Sequence, residues 1–110
     1  MPATPAPLLT PAEVLELHKI GLAMSHPTRA YLLATLAERS YERVGDLVEF
    51  SRSVLDWEVT QPTISRHLRF LHEADLIARW RTGQKVKVEI TERGRLVLDS
   101  LLEASNLPRS

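Results

Sequence analysis

Gln61, Ser65 and Arg69 recur every four residues, with Pro62 and Arg66 on the same flank and Thr63 at its edge. At helical periodicity these residues share one arc. Amide and guanidinium groups can pair bidentately with purine edges. Hydroxyls accept or donate to base edges, and arginines hold phosphate oxygens. The chemistry on offer is thus reversible hydrogen bonding to a polyanion. Catalysis is poorly provided for: Gly21, Gly45, Gly83 and Gly94 are isolated, so no phosphate-cradling loop is written, and neither Gly-x-Ser-x-Gly nor His-Glu-x-x-His occurs. No enzyme is expected.

A second cluster of cations follows. Ile77-Ala78-Arg79-Trp80-Arg81 and Val86-Lys87-Val88-Glu89-Ile90 alternate at period two around Thr82-Gly83-Gln84-Lys85, which predicts a β-hairpin with Gly83 in its turn. On this reading Val86, Val88 and Ile90 face the core. Lys85 and Lys87 point outward, joined by Arg79 and Arg81, as a basic ribbon over 78–90. Residues 61–88 hold six basic and two acidic side chains, a local charge of +4 in a chain whose net charge is zero. One face is therefore suited to an anionic partner, and the compensating acid lies elsewhere.

The elements that must position these groups are also legible. Thr60 is placed to cap a helix over 61–73, with Pro62 tolerated in its first turn and Ile64, Leu68 and Leu71 forming the buried stripe. Thr10-Pro11-Ala12-Glu13 has capping-box spacing and predicts a first helix to about Ala23. A second helix starts near Pro27, capped by Ser25 or His26, and buries Leu32, Leu33 and Leu36. Gly45-Asp46 opens a third, and Thr91 caps a last helix from Glu92 to about Ala104. With 110 residues and 44% hydrophobic content, the chain fits a single domain. That domain is expected over 10–104, with an extended or disordered proline-bearing tail at 1–9 and a short tail at 105–110.

In order and spacing these pieces resemble the ArsR/SmtB family of small winged helix-turn-helix repressors. The resemblance runs from about Leu17 to Leu102. It rests on Ser25-His26-Pro27-Thr28-Arg29, Val44-Gly45-Asp46-Leu47, the run Gln61 to Leu68, Gly83, and Ile90-Thr91-Glu92-Arg93-Gly94. It implies a mainly α fold with a small β-hairpin (α+β), and a homodimer whose recognition helices enter successive major grooves of double-stranded DNA. The expected DNA contacts are Gln61, Pro62, Thr63, Ser65, Arg66, Arg69, Arg79, Arg81, Lys85 and Lys87. A sequence-specific regulator, most simply a repressor on a palindromic operator, follows. The alternative is a winged helix used for protein contact or nucleoprotein assembly, anchored by Trp80 and Phe70.

Both terminal helices are apolar over a wide arc, which allows two readings: closure of the core alone, or closure plus a partner. The resemblance favours the second, with Val14, Leu17, His18, Leu22, Val97, Leu98, Leu101 and Leu102 at the dimer interface. One segment departs from the family pattern. Leu47 to Gln61 is about six residues longer than a compact helix-turn-helix needs. Leu47, Phe50, Val54 and Leu55 keep helical spacing, so the third helix is expected to gain about a turn, with Trp57 and Val59 anchoring the linker. The functional alternatives give Arg52 and Ser53 to the DNA backbone or Trp57 to an effector pocket.

No metal or other cofactor is expected. The chain has no cysteine, the run Glu42 to Leu47 offers no soft ligand where metal-responsive family members place theirs, and the last helix offers Asp99 and Glu103 without a histidine. His67 is expected at the edge of the core, His72 near a helix C-terminus, His26 at the second helix start and His18 on the surface or dimer seam. Met1 to Pro11 lacks a signal-peptide pattern, and no apolar run approaches a membrane span, so no membrane contact and a cytoplasmic location are expected. An effector is left undefined.

Overall fold

A computed structural model describes residues 8–55 and 59–106, so Trp57 lies outside the described residues, as do most of the N-terminal tail and the last four residues. Five helices and one hairpin follow in the order α1 (Pro11–Ala23), α2 (Pro27–Glu38), α3 (Val44–Val54), α4 (Gln61–Glu73), β1 (Ile77–Thr82), β2 (Lys85–Ile90) and α5 (Glu92–Ala104). This is the mainly α, winged helix-turn-helix arrangement.

Local chemistry sets the helix starts. Thr10 and Glu13 form the reciprocal capping box of α1, with the Thr10 amide donating to Glu13 Oε1 at 2.8 Å and the Glu13 amide to Thr10 Oγ1 at 3.2 Å. His26, rather than Ser25, caps α2: its Nδ1 accepts the Thr28 amide at 3.1 Å. Thr60 and Thr91 cap α4 and α5 through the Thr63 and Gly94 amides. At its far end α4 closes in a Schellman motif, the Asp75 amide donating to the His72 carbonyl at 2.9 Å and the Leu76 amide to that of Leu71 at 3.0 Å. The cost is a left-handed Asp75, at φ 60°.

The core gathers Leu32, Leu33 and Leu36 of α2, Leu47 and Val48 of α3, Ile64, Leu68 and Leu71 of α4, and Leu76, Ile77 and Val88 at the base of the hairpin. Gly94 is where α5 meets this base: a Cβ there would collide with the Leu76 carbonyl oxygen and lie 2.7 Å from Ile90 Cγ1. The hairpin turns through Gly83 and Gln84, with Gly83 in the left-handed region at φ 63°, as a two-residue hairpin turn requires. Tyr41 bridges the free edge of β2, exchanging hydrogen bonds with Val88 at 2.9 and 2.8 Å. A single bridging residue has no periodicity, so the sequence does not announce it.

Two expectations change. Helix α3 does reach Val54, but its buried positions are Leu47, Val48 and Ser51, while Phe50 and Val54 are exposed. The inferred periodicity is right and the face is rotated, because i, i+1 and i+4 point inward. Phe50 and Val54 line a largely apolar hollow of about 340 Å³ with Tyr31 and Tyr41. Val59 is buried as an anchor, and Arg52 Nε donates to its carbonyl at 3.2 Å, tying the linker back to α3.

The second correction concerns the hairpin. Arg79 stands opposite Val88 and Arg81 opposite Val86, whereas Lys85 and Lys87 stand opposite Thr82 and Trp80. Directly opposed residues of an antiparallel pair share a face. Arg79 and Arg81 are therefore on the inward face with the valines, and the two lysines are on the other. The reason is reach. Only the base of the hairpin lies over the core, and nearer the tip the same face overhangs α4, where arginines meet solvent and helix rather than apolar side chains.

Candidate nucleic-acid interface

Four fully or largely buried residues, Ile64, His67, Leu68 and Leu71, hold α4 on the core, and this determines what the rest of the helix presents. Gln61, Pro62, Thr63, Arg66 and Arg69 are exposed and Ser65 is partly so. Pro62, Ser65, Arg66 and Arg69 share a shallow hollow of about 270 Å³ with Arg79, which reaches it from β1. The inward turn of Arg79 therefore brings a wing cation onto the exposed arc of α4. Arg81 lies in an adjoining hollow with Arg79, Trp80, Val86 and His72. Arg69 is only loosely engaged, with its Nε 3.9 Å from Glu73 Oε1 and both side chains well exposed. Such a pair has little to lose when a phosphate competes for the guanidinium.

A larger notch of about 420 Å³ lies between the start of α4 and the tip of the wing, where Gln61 faces Lys85, with Gln84 beside it and Arg43 at the start of α3. Arg43 and Gln84 were missed by sequence reasoning. Arg43 precedes a helix that has no side-chain cap, and nothing in its spacing ties it to residues 61–85. Thr63 is partly committed, since its hydroxyl accepts from Thr60 at 2.9 Å.

The structure does not bring Lys87 to this surface. On the opposite face of the hairpin, its ammonium sits 3.4 Å from Glu42 Oε1 and 5.4 Å from the centre of the Trp80 ring. Arg52 and Ser53 are exposed but already engaged: Arg52 is held by Glu49 and Val59, and the Ser53 hydroxyl donates to the Phe50 carbonyl at 2.7 Å. Phe70 is covered by the Arg29 guanidinium, 4.0 Å above its ring centre.

Beneath the exposed arc, His67 is 7% exposed and accepts from Arg29 Nε through Nδ1 at 3.2 Å. Its pKa is pushed down to about 4, first by burial and then by His26, Arg29 and Arg66. A neutral imidazole is what an acceptor of a guanidinium N–H must be.

The proposed seam residues divide. Val14, Leu17, Leu22 and Leu101 are exposed large apolar side chains, as are Leu15 and Leu96, and His18 is exposed with them. Leu98, by contrast, is 9% exposed and belongs to its own chain's core, while Val97 and Leu102 pack against that core. Glu16 accepts from Lys19 of α1 at 3.2 Å and from Arg93 of α5 at 3.4 Å, linking the two helices. Among the described residues no group of three or more His, Cys, Asp or Glu side chains could hold a metal ion, and no helix is long and apolar enough to cross a membrane.

Comparison with known proteins agrees with this geometry. The homodimeric winged helix-turn-helix DNA-binding domain of a possible ArsR-family regulator from Mycobacterium bovis superposes with a TM-score of 0.73, at 18% identity, over 94% of this chain and 91% of that one. NolR from Sinorhizobium fredii gives 0.71 at 21% identity, over 94% and 100%. The transcriptional repressor BigR from Xylella fastidiosa gives 0.62 at 24%, over 84% and 89%. No curated protein sequence matches. Residues 26–79, which run from the cap of α2 through α4 into β1, match the family model described as bacterial regulatory protein, arsR family. The stretch 26–79 is thus that of the ArsR family of winged helix-turn-helix, DNA-binding transcription regulators.

Proposed function

We propose that the protein is a homodimeric repressor that reads a palindromic operator with α4 in the major groove and the wing against the flanking backbone. The observation that carries this reading is the convergence of Arg66, Arg69 and Arg79 on the hollow beside Ser65, next to the Gln61–Lys85 notch. Gln61 and Ser65 supply base-edge hydrogen bonds, and Arg66 reads a base or holds a phosphate. Arg69, Arg79, Arg81 and Lys85 hold phosphates, and Arg43 joins them at the start of α3. Pro62 and Thr63 supply contact area.

Two copies are needed because one short helix and one wing offer limited area, and pairing them doubles the contact and makes the site symmetric. The exposed leucines and valine of α1 and α5 form the seam, as homodimerisation of the Mycobacterium bovis domain suggests. The protein-contact alternative loses one anchor, since Phe70 is already occupied by Arg29. The lack of a ligand cluster among the described residues supports an operator affinity that is insensitive to metal.

The decisive test is selection of bound fragments from random DNA, followed by sequencing. An inverted repeat with half-sites about one helical turn apart, roughly 34 Å, is expected. Enrichment of no sequence, or of a single asymmetric site, would overturn the reading.

A further inference from the structure

Arg29 is the most unusual side chain beneath the interface. It is a guanidinium only 8% exposed, and its partners are not acids. Nη1 donates to the Leu22 carbonyl at 2.5 Å and to Ser25 Oγ at 3.2 Å, both at the C-terminal end of α1. Nε donates to His67 Nδ1 at 3.2 Å, and the planar group lies on the Phe70 ring. His67 and Phe70 are three residues apart on α4, so they present one ridge to the guanidinium. His26, the cap of α2, packs its ring 4.5 Å from that of His67.

Desolvating a cation costs several kcal/mol, and its partners here are a helix-end carbonyl, a hydroxyl, a neutral imidazole and a π-face. A methionine would fill the same volume without that cost. What methionine cannot do is fix a direction. The rigid fork of Arg29 constrains α1 and α4 together, and one ammonium could not reach both.

We propose that Arg29 is a positioning residue that sets the angle of the recognition helix against α1, and thereby the distance between the two recognition helices of the dimer. The inference rests on the dimeric reading given above. If α1 belongs to the seam and α4 to the DNA, Arg29 lies on the path that transmits subunit geometry to half-site spacing. Loosening it leaves the base-reading and phosphate-holding side chains untouched. Each half-site is then still recognised, but the coupling between the two is blurred.

The test compares wild type, Arg29→Met, Arg29→Lys and His67→Leu on three duplexes: the selected operator, the same operator with one central base pair inserted, and a single half-site. An inserted pair shifts one half-site by about 3.4 Å and rotates it by about 34°. Wild type is expected to lose about a hundredfold on the spaced operator. Arg29→Met should bind the half-site within about twofold of wild type, bind the native operator about tenfold more weakly, and discriminate the two spacings by less than about tenfold. Arg29→Lys should not rescue. His67→Leu, which exchanges a buried imidazole for an apolar side chain, should shift spacing discrimination the same way and serves if Arg29→Met does not fold.

A folded Arg29→Met or His67→Leu dimer with wild-type spacing discrimination would overturn the proposal. So would equal losses on half-site and operator, which would make Arg29 a support for α4 alone. A wild-type protein indifferent to spacing would instead sink the dimeric reading.

Discussion

α4 and α1 are both thirteen-residue helices, yet the chain treats them oppositely. α4 fully buries Ile64, Leu68 and Leu71 and surrounds them with polar groups. α1 fully buries only Ala23 and leaves Leu17 55% exposed, with Val14, Leu15 and Leu22 exposed beside it. α5 resembles α1, with Leu98 inward and Leu101 40% exposed. α4 is thus fixed by the core of its own chain, while the terminal helices carry more apolar surface than this core covers. Surface of that kind is more costly to leave in water than to bury against a partner. The surface of α4 is finished within the chain, whereas that of α1 and α5 is left unfinished by this core.

The largest effect should come from spoiling the unfinished surface. Leu17→Glu or Leu101→Glu would place an unpaired carboxylate in the proposed seam, giving monomers by sedimentation and a loss of operator affinity of at least about a hundredfold with α4 intact. A monomeric, folded variant that binds the operator like wild type would abolish the contrast. Gly94→Ala acts where α5 meets the base of the wing. Its Cβ overlaps backbone, so urea unfolding should show a loss of about 3 kcal/mol, with m unchanged.

On the finished surface, Gln61→Ala or Ser65→Ala should cost about 1–3 kcal/mol on the preferred site and relax its sequence preference. Arg79→Ala should weaken all duplexes alike and lower the salt slope by about 1. Lys87→Ala should change that slope less than Arg79→Ala, because Lys87 lies on the opposite face beside Glu42. Equal effects of the two variants would refute the placement of Lys87 away from the interface.

His67 gives α4 a pH signature. The folded imidazole protonates at about 4 and the free one near 6.5, so on acidification the unfolded state binds protons first. This contribution to stability is complete above about pH 6.5 and declines as pH falls towards 4. The drop in urea midpoint from pH 7 to pH 5 should be smaller in His67→Leu, and an undiminished drop would place the titration elsewhere. The smallest effect is expected at Asp75. Asp75→Gly should relieve the left-handed backbone and raise stability by up to about 1 kcal/mol in thermal unfolding.

Local chemistry made much of this legible in the sequence. Capping pairs, a proline in the first turn and apolar spacing of i, i+4, i+7 act within a few residues, so α1, α2, α4 and α5 and the exposed arc of α4 could be written from residue types alone. The hairpin was equally plain, because a glycine turn between alternating strands is a short-range signal. Which face each strand presents was not. Arg79 and Arg81 turn inward because the hairpin outreaches the core, and core size is a property of the whole chain. For the same reason Phe50 and Val54 emerged on the outside of α3, Tyr41 joined β2, and Arg43 came to the notch beside Gln61. Arg29 stood in the sequence as one residue of a helix start. Only packing placed its guanidinium between the end of α1 and the buried ridge of α4, because that contact spans thirty-eight residues and no local pattern encodes it.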